Sequence, residues 1–107
     1  MREPVFRRLF FGFIYLHILH HAAEGEVYGA SMMEELAQHG YDVSPGTMYP
    51  VLHWLEAQGW LQRQDRLVGG RIRKYYTITS AGQQVLEEGR KRAWELTSEI
   101  VEGEPKP

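Results

Sequence analysis

Two stretches of this chain carry side chains able to hold a polyanion. The first, Val43-Ser44-Pro45-Gly46-Thr47-Met48-Tyr49-Pro50, opens a short amphipathic helix. The second, Gly69-Gly70-Arg71-Ile72-Arg73-Lys74-Tyr75-Tyr76, follows it after a short intervening segment. Ser44, Thr47, Tyr49 and His53 offer hydroxyl, phenol and imidazole groups that can hydrogen-bond to phosphates or base edges, and Pro50 lies among them on the same surface. Arg71, Arg73 and Lys74 supply positive charge for phosphates, with Tyr75 as an aromatic companion.

A helix followed at once by a glycine-tipped, arginine-loaded hairpin is the pattern of a winged helix. That device puts a helix in the DNA major groove and a basic wing on the flanking backbone. Charge distribution supports it better than net charge does. The whole chain carries −2, which argues against a general nucleic-acid coat protein. Residues 60–78, however, hold Arg63, Arg66, Arg71, Arg73 and Lys74 against Asp65 alone, whereas residues 25–59 contain five acids and no Lys or Arg. Phosphate attraction follows the local field, so a basic strip on an acidic protein can bind DNA with salt-sensitive affinity.

The elements that must position these groups can be read from periodicity. Helix one is expected from about Pro4 to His21. Phe6, Leu9, Phe10, Phe13, Leu16 and His20 form one apolar stripe, and Phe11, Ile14 and Ile18 a second. Two apolar faces call for burial on two sides, the second against another subunit. The run from Val5 to Leu19 is too short to cross a bilayer, is broken by Arg7, Arg8 and His17, and lacks a small-residue cleavage site, so neither a membrane span nor a signal is expected.

Helix two is expected over Gly29 to Gln38, with Met33, Leu36 and Ala37 inward and Gly40 as a left-handed C-cap. Helix three starts either with Ser44 as N-cap and Pro45 at the first helical position, or a turn later at Thr47. Met48, Val51, Leu52 and Leu55 form its inward stripe and Gly59 ends it, leaving Thr47, Tyr49, Pro50 and His53 outside. Two strands follow, Trp60 to Asp65 and Arg71 to Thr79, joined through Gly69-Gly70. Ile72, Tyr76 and Ile78 share one face of the second strand, and Arg71, Arg73, Tyr75 and Thr77 the other. Tyr76 is expected in the core, with Tyr75 bracing the wing.

Ser80 and Gln83 stand at capping-box spacing before a final helix that runs to about Glu102. Leu86, Gly89, Ala93, Leu96 and Ile100 occupy the inner positions of a short heptad pattern, and the small residues at 89 and 93 permit close approach by another helix. The tail from Gly103 to Pro107 is expected to fray.

With 107 residues, 43% of them hydrophobic and 24% charged, the chain has the composition of a soluble globular domain. The fold class is mainly α with a small β-hairpin wing. Residues 1–79 form the winged helix-turn-helix with its N-terminal helix, and residues 80–107 a C-terminal helix and tail. The absence of cysteine excludes disulfides, thiolate metal sites and cysteine nucleophiles, and is compatible with a reducing, cytoplasmic setting.

The segment from Val27 to Gly82 resembles the PadR family of bacterial transcriptional regulators. Tyr28-Gly29 is similar to the family's YG start of helix two. The stretch from Val43 to Glu56 resembles VSxGTLYPLLxRLE, Gly70 to Tyr76 resembles GRPRKYY, and Thr77 to Gly82 resembles YxLTxxG. Ile72 replaces the usual wing proline, and Trp54 stands where a basic residue is common.

The resemblance implies a homodimer paired through helix one and the C-terminal helix. Phe6, Phe10, Phe13, Leu86, Gly89, Ala93, Leu96 and Ile100 fall at that interface. It also implies a short subtype with one C-terminal helix, acting as a repressor on a palindromic operator in double-stranded DNA and released by a small-molecule effector. Trp94, with Phe10 and Phe13 as neighbours, matches the place where some members hold flat apolar ligands.

Other chemistries find less support. His17, His20 and His21 are spaced to share a helix face, but two imidazoles on one face fall short of a closed zinc site. No carboxylate adjoins them in an obvious way and His39 and His53 lie elsewhere on the sequence, so no metal is expected and interfacial histidines are the simpler reading. There is no nucleophile–base pair and no phosphate loop. Neither enzymatic activity, nor a catalytic residue, nor a cofactor is expected. Winged helices also serve as protein-interaction adaptors, but an apolar outer face on helix three would favour that role, and this face is polar.

Overall fold

The computed structural model describes residues 4–103. Its elements run α1 (Pro4–Glu24), α2 (Gly29–Gln38), α3 (Pro45–Ala57), β1 (Leu61–Val68), β2 (Arg71–Ile78) and α4 (Ser80–Glu102). Of the tail expected to fray, the part after Gly103 lies outside the described residues. No helix among the described residues is long and apolar enough to cross a membrane.

Helix α1 extends one turn past the expected end at His21 and buries Phe10, Ile14, Ile18, Leu19 and Ala22. Phe6, Leu9 and Phe13 remain exposed, whereas Phe10, expected in the same stripe, is buried with Ile14 and Ile18. The two apolar faces are therefore real, and one of them is uncovered within the subunit.

Helix α2 begins where Tyr28 N–H donates to Ser31 Oγ (3.0 Å) and Ser31 Oγ donates back to Tyr28 O (2.8 Å). Its inward residues are Met32 and Leu36. Ala37 lies outside, contrary to the expected pattern, because the buried stripe is set one residue earlier. Gly40 takes φ 86°, which lets Tyr41 N–H return to Leu36 O (3.0 Å) and turns the chain toward α3.

Helix α3 takes the earlier of its two starts. Ser44 is the N-cap residue and Pro45 follows, with Thr47 and Met48 N–H donating to Ser44 O at 3.0 and 2.9 Å. Pro50 is accommodated inside the helix, facing Gly46 one turn earlier. Met48, Val51, Leu52 and Leu55 are buried as expected. With Ile14, Ile18, Leu36, Leu61, Tyr76 and Leu86 they form one continuous core, each aliphatic side chain contributing about 1.5–3 kcal/mol by burial.

The hairpin is antiparallel, Leu61 opposite Ile78 through Val68 opposite Arg71. Strand β1 therefore runs three residues beyond Asp65. Gly69 and Gly70, at φ 58° and 80°, make the two-residue turn whose twist suits a hairpin. Ile72, expected on the face of Tyr76 and Ile78, is exposed, since the wing projects past the core. A third partner is a single bridge: Val27 and Tyr76 exchange backbone hydrogen bonds of 2.9 and 2.8 Å. It anchors the wing's base to the loop between α1 and α2.

Thr79, not Ser80, caps α4: its Oγ1 accepts from Gly82 N (3.0 Å) and donates to Gly59 O (2.6 Å). Threonine at this position bonds backward to the end of α3 as well as forward, which Ser80 inside the helix cannot do. Gly82 lies under the Trp60 carbonyl, and Gly89 faces the end of Leu16. The close approach that Gly89 permits is thus to α1 of the same subunit.

Candidate nucleic-acid interface

Helix α3 and the wing border a groove of about 530 Å³ lined by Tyr28, Gly29, Tyr49, His53, Arg71 and Lys74 among others. Tyr49 lies across the start of α2. A Cβ on Gly29 would come within 2.5 Å of the Tyr49 ring, so glycine at 29 is what allows the phenol to rest there with about half its surface exposed. Pro50 and His53 are exposed beside it. Thr47 is half-buried, and Ser44 Oγ donates to Thr47 Oγ1 at 3.5 Å. Those two hydroxyls stand together at the N-terminus of α3, where unpaired backbone N–H groups favour anions.

Five cations of the basic strip divide into two sets. Arg63 pairs with Asp65 (3.2 Å) and Glu56 (3.7 Å). Arg66 grips both carboxylate oxygens of Glu26 and also donates to Gln64 Oε1 at 2.9 Å, a hydrogen-bonded pairing that raises its already high pKa. Arg71, Arg73 and Lys74 form no ion pair among the described residues and are exposed around the groove. The charge available to a polyanion is therefore these three, fewer than the sequence count.

Tyr75 is engaged in a brace. Arg66 lies 4.5 Å over its ring, the ring meets Tyr28 edge-on at 5.4 Å, and Arg73 lies 4.4 Å over Tyr28. Glu26, Arg66, Tyr75, Tyr28 and Arg73 thus form a chain of contacts that ties the wing to the start of α2. Each exposed cation–π contact adds about 0.5–1 kcal/mol, and together they limit the wing's freedom. Sequence reasoning missed Glu26 and Tyr28 as parts of this surface. Tyr28-Gly29 was visible as a motif, but no local signal joins Glu26 to Arg66.

Trp54 packs against Tyr15 (5.4 Å) and Trp60 (5.6 Å). It bridges α1 and the base of the wing, which accounts for an indole where a cation would face solvent.

The residues expected at a subunit interface fall into three groups. Phe10 is 8% exposed, stacked on Tyr41 at 4.2 Å, and Leu86 is 4% exposed; both belong to the subunit's own core. Phe6, Phe13, Leu96 and Ile100 are exposed, as is Trp94 at 70%. Gly89 and Ala93 lie along an apolar groove of about 370 Å³ shared with Leu9, Phe13, Leu16 and Leu96.

The histidines are less isolated than their sequence positions suggest. His39 comes within 5.1 Å of His17 (ring centroids), and Glu24 and Glu35 stand among them. This corrects the expectation that no carboxylate adjoins them: Glu24 lies one turn along α1 from His20 and His21, and α2 folds back on α1 and brings Glu35 and His39 with it. His17 Nδ1 is buried with no hydrogen-bond partner. Burial, then the neighbouring His39, His21 and His20, hold its pKa below the ordinary 6.5.

Near pH 6.5 the unfolded chain therefore binds a proton at His17 that the folded chain does not. Stability should be fully present above 6.5 and decline as pH falls toward the lowered value. Urea midpoints at about pH 7.5 and 5.5 should differ in that sense, with the difference reduced in His17→Leu. Equal reductions in both proteins would show that His17 is not the group responsible.

The sequence model of the Transcriptional regulator PadR-like family matches residues 18–88. A transcriptional regulator of Mycobacterium tuberculosis, Rv3488, is 53% identical over 89 residues, 83% of each chain. The crystal structure of a PadR family transcriptional regulator from Eggerthella lenta superposes with a TM-score of 0.81 at 30% identity, covering 92% of this chain and 87% of that one. A PadR-like transcriptional regulator from Bacillus cereus gives 0.75 at 32% identity, covering 90% and 94%. On the sequence match and the shared four-helix, one-hairpin architecture alike, this chain belongs to the PadR-like family of transcriptional regulators, which act without enzymatic chemistry.

Proposed function

We propose that the protein is a homodimeric repressor that binds a palindromic operator in double-stranded DNA. The observation that carries this reading is the shared groove of α3 and the wing, where Tyr49 and His53 line the same space as Arg71, Arg73 and Lys74, which form no ion pair among the described residues. In this reading Thr47, Tyr49, Pro50 and His53 present the base-reading surface and Ser44 supports the N-terminus of α3. Arg71, Arg73 and Lys74 take phosphates, while Tyr75 acts through the brace that positions Arg73.

Two copies of α3 must enter successive major grooves about 34 Å apart, and a dimer sets that spacing. The exposed Phe6, Leu9 and Phe13 of α1 and Leu96, Ile100 and Val101 of α4 support pairing through these helices, with Gly89 and Ala93 along the seam. Phe10 and Leu86 act behind it, by fixing the helices in the core. A flat apolar effector would lodge between Trp94, Phe13 and the groove at Gly89 and Ala93, altering the seam and with it the operator spacing.

Two measurements check these parts separately. Tyr49→Ala should weaken operator binding by about 10-fold or more, as expected for losing roughly 1–3 kcal/mol of contact, with the far-ultraviolet circular dichroism unchanged. Wild-type affinity in that variant would remove Tyr49 from the interface. Sedimentation should give a dimer; a monomer persisting at micromolar concentration would eliminate the proposed two-groove geometry.

A further inference from the structure

Four of the chain's five histidines gather where the end of α1 meets α2, well apart from the α3–wing groove. His20, His21 and Glu24, in the last turn of α1, each offer a ligand atom, and these atoms all lie within 4.8 Å of one another. His20 Nε2 stands 3.6 Å from Glu24 Oε2 and His21 Nδ1 3.5 Å from Glu24 Oε1. The two contacts use different oxygens of Glu24, of which one would serve as the ligand; each is near the separation of neighbouring ligand atoms around one zinc-sized ion, given bonds of about 2.0–2.2 Å in a tetrahedral arrangement.

The other nitrogen of His21 is also accounted for. Its Nε2 lies 3.7 Å from Glu35 Oε1, while the second oxygen of Glu35 lies 3.2 Å from His39 Nε2. At 3.7 Å the His21–Glu35 pair is an ion-pair contact and not a hydrogen bond; an approach closer by about 1 Å would give the carboxylate–imidazole bond that fixes the tautomer and orientation of a ligating histidine and raises its basicity. Here that carboxylate comes from a different helix. The site also sits at a helix C-terminus, where the terminal carbonyls favour a cation.

We propose that His20, His21 and Glu24 bind one divalent transition-metal ion of the zinc class, with Glu35 and His39 orienting His21. Three protein ligands leave a position for water. The imidazoles and carboxylate match a borderline metal and not calcium or magnesium, which take oxygen.

Ligation has a consequence for α4. Arg90 Nη2 lies 3.0 Å from His20 Nδ1. A guanidinium only donates, so this contact requires Nδ1 to be the lone-pair nitrogen and Nε2 to carry the proton. Metal on Nε2 requires the reverse: the proton moves to Nδ1, two donors then face each other, and Arg90 must leave. The ion and Arg90 therefore compete for His20, which couples occupancy of the site to a contact between α1 and α4.

The test is a titration of the full chain with zinc chloride against a chromophoric chelator, with circular dichroism to verify each fold. One ion should bind per chain. Glu24→Gln and His20→Ala should each weaken that binding at least about 10-fold, and Glu35→Gln by about 10- to 100-fold through the orientation of His21. Arg90→Ala should tighten it several-fold. Binding of less than one ion, or wild-type affinity in folded Glu24→Gln or His20→Ala, overturns the site. Unchanged affinity in Glu35→Gln overturns the role of Glu35, and unchanged affinity in Arg90→Ala overturns the competition. These readouts use no DNA, so they stand or fall apart from operator binding.

Discussion

Replacing Arg71, Arg73 and Lys74 together by alanine should weaken duplex DNA binding about 100-fold at ~0.2 M salt and reduce the slope of log affinity against log salt by about 2.7. The size follows from counterion release, in which each neutralised phosphate contributes about 0.9 to that slope. The number of charges is set by the structure. Arg63 and Arg66 are held by Glu56, Asp65 and Glu26, so removing them should alter wing geometry more than salt dependence. The triple substitution should act on operator and unrelated DNA alike, because phosphates carry no sequence. A slope equal to wild type would mean that the wing does not touch the backbone.

Gly82→Ala should lower stability by about 2–3 kcal/mol through overpacking, or roughly 10–20 °C in melting midpoint. Alanine would by itself favour the helix by about 1 kcal/mol. The added methyl, however, would overlap the backbone carbonyl of Trp60 and stand 2.8 Å from Ile78 Cγ1. That carbonyl is fixed by Thr79 N–H at 3.0 Å, so the clash cannot be relieved by turning a side chain. Gly89→Ala is the contrast: its methyl meets only the end of Leu16, which can rotate away, and its cost should be small. Equal melting points for the Gly82→Ala variant and wild type would show that the close junction of β1, β2 and α4 is not required.

Periodicity found the buried stripe of α3, Met48, Val51, Leu52 and Leu55, because a single face decides it. Gly40, Gly69 and Gly70 were legible because a left-handed turn demands them. At Ala37 the pattern was displaced by one residue, since in a helix as short as α2 Met32 and Met33 serve the stripe almost equally. Ser80 and Thr79 both suit an N-cap, and what separates them is the Gly59 carbonyl, which reaches Thr79 only after folding.

The candidate site was legible in the same uneven way. The outward residues of α3 and the basic wing could be read directly. Which cations remain unpaired could not, because Glu26 and Arg66 are forty residues apart and meet only through the Val27–Tyr76 bridge. His20, His21 and Glu24 lie within one turn of α1 and were open to a local reading; Glu35 and His39 join them only because α2 returns to α1.

Whether the α3–wing groove reads a specific DNA site is decided by a competition experiment. Labelled duplex spanning the region upstream of the protein's own gene is bound, then challenged with unlabelled copies of itself or with a shuffled duplex of equal length and composition. At least about 1,000-fold preference for the true sequence is expected, with two chains per bound duplex. Equal competition by both duplexes, or no binding at low salt, would contradict it.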